Sequence, residues 1–413
     1  MTFSKKKILY ISYDGMTDPL GRSQIIPYLI GLSKKGYSFT ILSCEKEEPF
    51  RQRKEIIGAL LKQHDIKWVP VKFTSRPPVL SKMYDVYQLR KKAFQLYKEI
   101  RFDMIHCRSY IAAGIGLDLK KRFGTKFFFD MRGFWADEKR DGGSWKDSSF
   151  FFRQVYKYYK KKEAEFIENA DYIIVLTYAA ERELTTWKSY TKKKPPLEII
   201  PCCADMNLFS LTDKAQLKQS RAKLNLAETN LVVSYLGSIG SWYMLDEMLM
   251  VFAAIKEKYP SALFLFITHS DPVLIKSRLP AHNLNENDIR IFKSSPEQVP
   301  EYIKSSDISL SFIKPVYSKI SSSPTKLGEL LSMGIPVICN TGVGDVEQII
   351  VESGAGLLMR SFDTNEEKKL LNDLPSVLKK DPLEIRTKSE KWYNLDMGIE
   401  KYSRCYKDLL GEA

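Results

Sequence analysis

Short apolar segments alternate with longer amphipathic segments along this chain, and no other feature restricts its fold as much. Residues 7–12, 38–43 and 126–130 are short and apolar, and they are rich in β-branched or aromatic side chains. Segments of this kind, separated by helical periodicity, indicate strands that are buried on both faces. A parallel sheet with helices packed on both sides satisfies the pattern, so we predict an α/β fold.

The alternation begins again at residues 231–237, after a short join. A chain of 413 residues also exceeds the size at which one hydrophobic core usually suffices. We therefore predict two doubly wound, Rossmann-like domains, residues 1–203 and 204–390, that face a cleft. Ligands of such sheets bind outside the carboxyl ends of the strands, so we expect the functional site there.

Several functional classes are disfavoured by composition. The six cysteines have no C-x-x-C spacing and the four histidines form no metal-ligand pattern, so we expect buried free thiols and no metal. No apolar run nears the roughly 18 residues of a membrane-spanning helix. The first apolar segment is too short for a signal peptide and indicates a strand. We expect a cytoplasmic protein.

The positive charge is confined to the first half of the chain. The net charge is +14 overall, with +15 over residues 1–205 and −1 over residues 206–413. Such a field attracts anionic membranes, polyanions or phosphorylated substrates, although simple solubility is an alternative. We expect the protein to contact the inner face of an anionic membrane peripherally, and we expect no binding to nucleic acid. The oligomeric state does not follow from the sequence.

Residues 321–339 form the most informative local motif. They combine a polar loop, a short helix, a tight turn and a buried strand. The hydroxyls of Ser323 and Thr325 and the free amides of the helix start can hold an anion, to which Lys326 adds a positive charge. Glu329, one turn along, can accept a hydrogen bond from a sugar or ribose hydroxyl. The motif predicts a sugar-nucleotide site.

Four stretches in the expected order resemble the family 4 glycosyltransferases (group 1), which have the GT-B fold. They are residues 8–24, 198–209, 334–338 with 342–347, and 392–410. The resemblance implies GT-B architecture, with a C-terminal helix (residues 391–413) packing back on the first domain.

For activity, the resemblance implies a retaining, metal-independent hexosyltransferase. A nucleotide-diphosphate sugar would be the co-substrate, with no other cofactor. The second domain would bind this donor, and the first would bind a polysaccharide or lipid-linked acceptor in surface glycan biosynthesis.

The resemblance also assigns donor residues. Glu329 takes the position of the second carboxylate of the family's Glu-x7-Glu motif, which implies hydrogen bonding to the ribose. Ser321 stands at the first carboxylate position, where this chain departs from the family. Lys326 would stabilise the leaving diphosphate. A solvated helix glutamate and a surface lysine are the simpler alternatives.

Family members commonly carry an Arg and a Lys after the first strand of the second domain. Ser238 and Tyr243 stand at these two positions here. We expect the amides around Gly240, with the hydroxyls of Ser238 and Ser241, to take over part of the diphosphate binding. Lys326 would supply the charge.

In the first domain, polar residues follow the predicted strands. Gly21 precedes a helix predicted over about residues 23–35, at a point where the backbone can approach a phosphate or sugar. With Arg22, the residues His106, Arg108 and Asp130 are candidates for the acceptor side. Arg22 is equally consistent with an ordinary strand–helix loop.

Arg132 and Asp137 complete the candidate catalytic set with Lys326 and Glu329. Arg132 stands where many relatives carry a histidine. Its guanidinium is no proton acceptor, but it can bind a phosphate or a sugar carboxylate. Asp137 or Asp130 could orient the acceptor hydroxyl. A structural Asp–Arg ion pair is the alternative.

Residues 151–161 are expected to form an amphipathic helix. Its aromatic face would pack on the sheet: Phe151, Phe152, Val155, Tyr158 and Tyr159. Its basic face would be solvated: Arg153, Lys157, Lys160 and Lys161.

Two other functions are compatible with the sequence. A GT-B-like sugar-nucleotide epimerase would share the sheets and the donor site. A non-catalytic protein that binds a sugar nucleotide or a polyanion would tolerate loss of the Arg/Lys pair.

Overall fold

The computed structural model describes residues 5–77, 79–295 and 297–412. The chain forms two compact units. The first comprises Met1–Pro201 with Leu395–Ala413, and the second comprises Cys202–Asn394. Each unit is built around one parallel sheet. The predicted α/β class and the two Rossmann-like sheets are confirmed.

The sheet of the first unit has the strand order β3-β2-β1-β4-β5-β6-β7. Its strands are β1 Lys6–Ser12, β2 Tyr37–Glu45, β3 Lys67–Lys72, β4 Met104–Arg108, β5 Lys126–Asp130, β6 Tyr172–Val175 and β7 Leu197–Ile199. The central strands β4, β5 and β6 are almost wholly buried because helices cover both faces, which explains their continuous apolar sequences.

The helices up to the join are α1 Pro19–Gln24, α2 Ile26–Ser33, α3 Glu47–Gln63, α4 Leu80–Glu99, α5 Ser109–Phe123, α6 Trp135–Asp141, α7 Phe150–Asn169, α8 Tyr178–Leu184 and α9 Lys188–Thr191. Helix α5 packs on β4 and β5, with α4 on one side of it and α7 on the other. These three helices therefore lie side by side on one face of the sheet.

The second unit has the strand order β10-β9-β8-β11-β12-β13. Its strands are β8 Val232–Leu236, β9 Leu263–Ile267, β10 Ile289–Phe292, β11 Ile308–Ser311, β12 Val337–Asn340 and β13 Gly356–Met359. Its α-helices are α10 Lys214–Lys223, α11 Leu245–Lys258, α12 Pro272–Lys276, α13 Val299–Ile303, α14 Thr325–Ser332, α15 Val346–Ser353, α16 Thr364–Val377 and α17 Pro382–Tyr393, and its 3-10 turns are Leu279–His282, Glu286–Asp288 and Tyr317–Ser321.

The last helix, α18 (Leu395–Leu410), belongs to the first unit. It packs against α2 and buries Ile399, Tyr402 and Tyr406. The prediction that the C-terminal helix contacts the first domain is confirmed.

The predicted helix over residues 23–35 is interrupted. Helix α1 begins at Pro19 and α2 begins at Ile26, with Ile25 outside helical geometry between them. Pro27 explains the break, since a proline inside a continuous helix loses its hydrogen bond and clashes with the preceding turn, whereas it is tolerated in a first turn. Gly21 therefore lies within α1 and does not precede a helix.

Helix α7 follows the predicted orientation only in part. Phe152, Val155 and Tyr159 are partly buried and Arg153, Lys157 and Lys161 are exposed, as predicted. Phe151 and Tyr158, however, are exposed, and Lys160 turns inward to pair with Asp137 and the buried Glu163. Two buried carboxylates require a nearby cation, and this requirement outweighs the burial of two aromatic side chains.

All six cysteines are buried and free. In the part of the chain that the structure describes, no helix is both long and apolar enough to cross a bilayer.

Candidate functional site

Strand order in the second unit changes direction between β8 and β11, since β8 continues to β9 on one side and β11 to β12 on the other. The loops that follow these two strands separate at this point and leave a crevice in which ligands of doubly wound sheets bind. The loop after β8 starts at Gly237, and the segment after β11 leads into α14. The crevice therefore lies where the motif of residues 321–339 predicts a ligand.

Lys326 lies in the first turn of α14, and its ammonium group contacts two tyrosines from the β8 side. Its Nζ donates a hydrogen bond of 3.3 Å to the Tyr235 hydroxyl and lies 3.8 Å from the ring centre of Tyr243. The Tyr235 hydroxyl in turn donates to the carbonyl oxygen of Ser238 at 2.7 Å. These contacts hold the ammonium group of Lys326 against the loop after β8.

Gly237 makes this close approach possible. A Cβ atom at this position would lie 2.7 Å from Nζ of Lys326, and the residue has a φ of +127°. Only glycine adopts that backbone conformation without strain. The backbone conformation therefore requires glycine at position 237, and the absence of a side chain leaves room for the ammonium group of Lys326.

Lys326 and Glu329 share a low-dielectric site, and neither is in its ordinary ionisation range. Burial lowers the pKa of Lys326 to about 7, partly opposed by the negative charge of Glu329. Burial also raises the pKa of Glu329 to about 7, partly opposed by Lys326. Perturbed pairs of this kind are concentrated at functional sites. Among the described residues, no side chain hydrogen-bonds the Glu329 carboxylate.

The other predicted donor residues surround this pair to different degrees. Ser238, Gly240 and Ser241 are exposed in the loop after β8. Thr325 is the first residue of α14. Ser323 uses its hydroxyl oxygen to accept a hydrogen bond from the Cys202 amide at 3.1 Å, so this oxygen is already engaged in the fold.

The structure places a second lysine near this loop, and no sequence motif had pointed to it. Lys319 is buried, and its Nζ lies 3.8 Å from the ring centre of Trp242, which belongs to the loop after β8. Its backbone carbonyl accepts from the Gly344 amide at 2.9 Å, which ties it to the loop after β12. Ser321, at the position of the family's first carboxylate, is buried and donates to the Ser318 carbonyl.

In the first unit, the strand order changes direction between β1 and β4. Strand register places Arg108 of β4 beside Asp130 of β5, and His106 two residues earlier on the same face. Three of the predicted acceptor-side residues are thus adjacent. Alternation along the strands accounts for their common face.

The Asp130 carboxylate is the centre of this cluster. Its Oδ2 accepts from the Tyr402 hydroxyl at 3.1 Å and lies 3.4 Å from Nε2 of His106. The other nitrogen of His106 is hydrogen-bonded to the Tyr406 hydroxyl at 2.5 Å. Helix α18 therefore supplies two of the contacts that fix this cluster, a contribution that the sequence did not reveal.

Charge in the cluster is balanced locally. Burial disfavours ionisation of Asp130, but Arg132, His106 and Arg108 outweigh it and hold the pKa of this carboxyl below its usual range. Burial lowers the pKa of His106, which favours the neutral imidazole. Arg132 has a φ of +58°, a strained conformation for a non-glycine residue, and its guanidinium lies 3.9 Å from Asp130. Backbone strain of this type is concentrated at functional sites.

Asp137 is held in a different set of contacts. It accepts from the Tyr156 hydroxyl at 2.7 Å and from Nζ of Lys160 at 2.9 Å, and it is buried. Lys160 also pairs with Glu163. These contacts account for Asp137 as a structural residue that neutralises Lys160.

The first loop is organised by a residue that the sequence did not single out. Glu45, at the end of β2, accepts from the amide and hydroxyl of Thr17 and from the Met16 amide. Gly21 packs so closely on this loop that a Cβ would lie 2.1 Å from the Gly15 carbonyl oxygen. Arg22 is partly buried in the same helix, α1.

Similar solved structures agree on the architecture. Sucrose-phosphate synthase from Thermosynechococcus elongatus superposes with a TM-score of 0.73 at 15% identity, covering 99% of this chain and 100% of that one. HepE from Anabaena, solved with UDP-glucose, gives 0.68 at 13% identity, covering 97% and 99%. WaaG, a glycosyltransferase involved in lipopolysaccharide biosynthesis, gives 0.66 at 14% identity, covering 96% and 99%. The two sheets and the returning C-terminal helix define a GT-B protein.

The sequence also matches two family domains. Residues 29–208 match glycosyltransferase family 4, and residues 217–391 match the glycosyl transferases group 1 domain. The chain belongs to the family 4, group 1 glycosyltransferases, as the sequence motifs predicted. A comparison with curated protein sequences finds no match.

Proposed function

We propose that the protein is a retaining, metal-independent glycosyltransferase that takes a hexosyl group from a nucleotide-diphosphate sugar and acts in surface glycan biosynthesis. One observation carries the proposal. Lys326 and Glu329 lie together where the strand order of the second unit changes direction. The pKa of each is shifted to about 7, and no described side chain hydrogen-bonds the Glu329 carboxylate. A diphosphate and a ribose would satisfy these two groups at once. HepE, which shares the fold, was solved with UDP-glucose.

Lys326 stabilises the leaving group in this mechanism. The bond between the anomeric carbon and the diphosphate oxygen breaks, a bond to the acceptor oxygen forms, and the proton of the acceptor hydroxyl passes to the departing diphosphate. Negative charge grows on the diphosphate during this step. Lys326 is held in a fixed position by Tyr235 and Tyr243, so it meets this charge without reorganisation.

Glu329 positions the donor by accepting hydrogen bonds from the ribose. The exposed residues Ser238, Gly240 and Ser241 bind the remaining phosphate oxygens through amides and hydroxyls, in place of the family's Arg/Lys pair. Gly21 of α1, which packs against the first loop, is assigned to donor binding in the same proposal.

The acceptor binds at the carboxyl edge of the first unit's sheet. Arg108 and Arg132 place two guanidinium groups at this edge, and the buried Asp130 carboxylate, which Tyr402 and His106 hold in place, positions them. These groups suit an acceptor that carries hydroxyls and a phosphate or carboxylate. A polysaccharide or a lipid-linked glycan on the inner face of the membrane fits this chemistry and the positive charge of residues 1–205.

An epimerase and a non-catalytic sugar-nucleotide protein would use the same donor site. Neither requires the first unit's cluster of Arg108, Asp130 and Arg132. That cluster supports transfer to a second substrate.

The test is the kinetics of Lys326→Ala. Loss of one pre-organised group at a developing charge typically lowers kcat by roughly 100- to 1,000-fold. KM should change much less, since the interaction strengthens toward the transition state. EDTA should leave wild-type turnover unchanged. A rise in KM alone, or full inhibition by EDTA that manganese reverses, would contradict the mechanism.

A further inference from the structure

Helix α4 carries large apolar side chains on its solvent face. Four residues spaced as one stripe of a helix are each more than half exposed: Leu80, Met83, Tyr84 and Tyr87. The same turns direct Ser81 and Asp85 inward. An ordinary surface helix has the opposite arrangement, with its apolar stripe toward the core. The beginning of α4 is therefore apolar outside and polar inside.

Asp85 explains why the helix lies this way round. Its carboxylate accepts from the Tyr13 hydroxyl and from the Thr74 amide, each at 3.1 Å. Rotating the helix to bury the stripe would break both bonds and expose the groups that make them. The fold thus maintains an apolar surface in contact with solvent.

Helix α7 repeats the arrangement. Its first turns expose Phe150, Phe151 and Tyr158, each by more than half. Lys160 turns inward to Asp137 and Glu163 and fixes the orientation of the helix. In both helices, a buried polar contact keeps aromatic side chains at the surface.

The two apolar stripes lie at the same edge of the first unit. Helices α4 and α7 flank α5 on one face of a parallel sheet. Because each helix runs back between two parallel strands, its first turns lie at the carboxyl edge of the strands. Tyr13, just after β1, hydrogen-bonds Asp85 of α4, which places the first turns of α4 at this edge. We call the exposed side chains of residues 80–91 and 150–161 the apolar rim.

The charges on the apolar rim are all of one sign. Lys82, Lys91, Arg153, Lys157 and Lys161 are exposed. The sequence has one carboxylate in these two segments, Asp85, which is buried. Aromatic and aliphatic groups interspersed with lysine and arginine are complementary to a bilayer surface, where rings enter the interface and cations meet anionic headgroups.

We propose that the apolar rim binds the surface of an anionic lipid bilayer. The same carboxyl edge carries Arg108, Asp130 and Arg132, so docking through the rim would hold the acceptor cluster near the lipid headgroups. The proposal rests on the proposed function and extends it, because a membrane-binding surface beside the acceptor cluster favours a lipid-linked acceptor. Binding is measured without turnover, so the two proposals can fail separately.

Vesicle co-sedimentation tests the proposal. The full-length protein should bind vesicles of phosphatidylcholine with phosphatidylglycerol at low salt, and bind pure phosphatidylcholine much less. Lys157→Gln with Lys161→Gln should weaken binding by roughly thirtyfold, at about fivefold per lysine. Met83→Ser with Tyr84→Ser and Phe151→Ser should weaken it by at least about tenfold, through lost apolar burial. Binding should fall steeply at high salt.

Matched controls separate the rim from general charge and hydrophobicity. Lys368→Gln with Lys369→Gln removes two exposed lysines of the second unit, and Ile56→Ser removes an exposed apolar group of α3. Both should bind like wild type, and circular dichroism should show all variants folded. The proposal is overturned by absent binding at low salt, by equal binding to neutral vesicles, or by controls that lose as much as rim variants. It is also overturned if the rim variants only dissociate a dimer of this chain.

Discussion

Replacing Gly237 by alanine tests whether Lys326 acts from the position that the structure gives it. The added Cβ would lie 2.7 Å from Nζ of Lys326, whereas ordinary contact begins at 3.4 Å. The ammonium must then move by roughly 0.7 Å, and a misplacement near 1 Å can cost about a hundredfold in rate. A non-glycine residue at a φ of +127° also costs about 1–3 kcal/mol of stability. We expect kcat to fall about ten- to a hundredfold, with a melting temperature a few degrees lower.

The assay follows nucleotide-diphosphate release at a temperature well below the melting point, so that lost stability does not lower the folded fraction. Gly143→Ala is the matched control, since this residue also has a positive φ, +73°, but a Cβ there meets no atom within 4 Å. It should keep wild-type turnover while losing stability through its own backbone strain. If Gly237→Ala kept full turnover, the ammonium of Lys326 would not act where the structure places it, and its assignment to the leaving group would be refuted.

Other substitutions separate binding from stability. Glu329→Gln should weaken nucleotide-diphosphate affinity about ten- to a hundredfold, because a hydrogen bond to a charged group contributes roughly 1.5–3 kcal/mol. Isothermal titration calorimetry measures this affinity, and the same variant also changes how stability depends on pH. Burial raises the pKa of Glu329 from 4.5 to about 7, so wild type loses stability as pH rises through that interval. The Gln variant lacks this loss, so its melting temperature should rise relative to that of wild type from pH 5 to pH 7. No pH-dependent difference would mean that the partly buried Glu329 carboxyl is not desolvated in the free protein. Asp137→Asn should cost about 3–5 kcal/mol in denaturant unfolding, as a buried ion pair loses one partner, with turnover per folded molecule retained; lost turnover at unchanged stability would give Asp137 a role with the acceptor. Tyr402→Phe should cost about 1–2 kcal/mol through its lost bond to Asp130, and an unchanged unfolding midpoint would contradict that contact.

The strands were predictable because parallel strands covered on both faces have continuous apolar sequences. The break at Ile25 was not recognised, although Pro27 marks it. Helical periodicity in residues 151–161 separated an aromatic face from a basic face, but it did not show that Lys160 turns inward while Phe151 and Tyr158 stay exposed. Glu163 follows Lys160 at helical spacing, whereas Asp137 becomes its neighbour only in the folded chain.

The same limit applies to the candidate site. Lys326 and Glu329 stand on one helix, so their proximity follows from spacing alone. The contacts of Lys326 with Tyr235 and Tyr243 join residues more than eighty positions apart, and only the folded sheet brings them together. Likewise, Tyr402 reaches Asp130 because the last helix returns to the first unit. Such long-range contacts leave no periodic pattern in a single sequence.

The most direct test of the central claim is the product formed when the protein is incubated with nucleotide-diphosphate sugars and EDTA, without an acceptor. A glycosyltransferase slowly transfers the sugar to water, so proton NMR should show free nucleotide diphosphate together with the free sugar, unchanged at every carbon except the anomeric carbon, which equilibrates in water. Lys326→Ala should abolish this release. Conversion to an epimeric sugar, or binding of every active donor without turnover in the wild-type protein, would contradict the assignment.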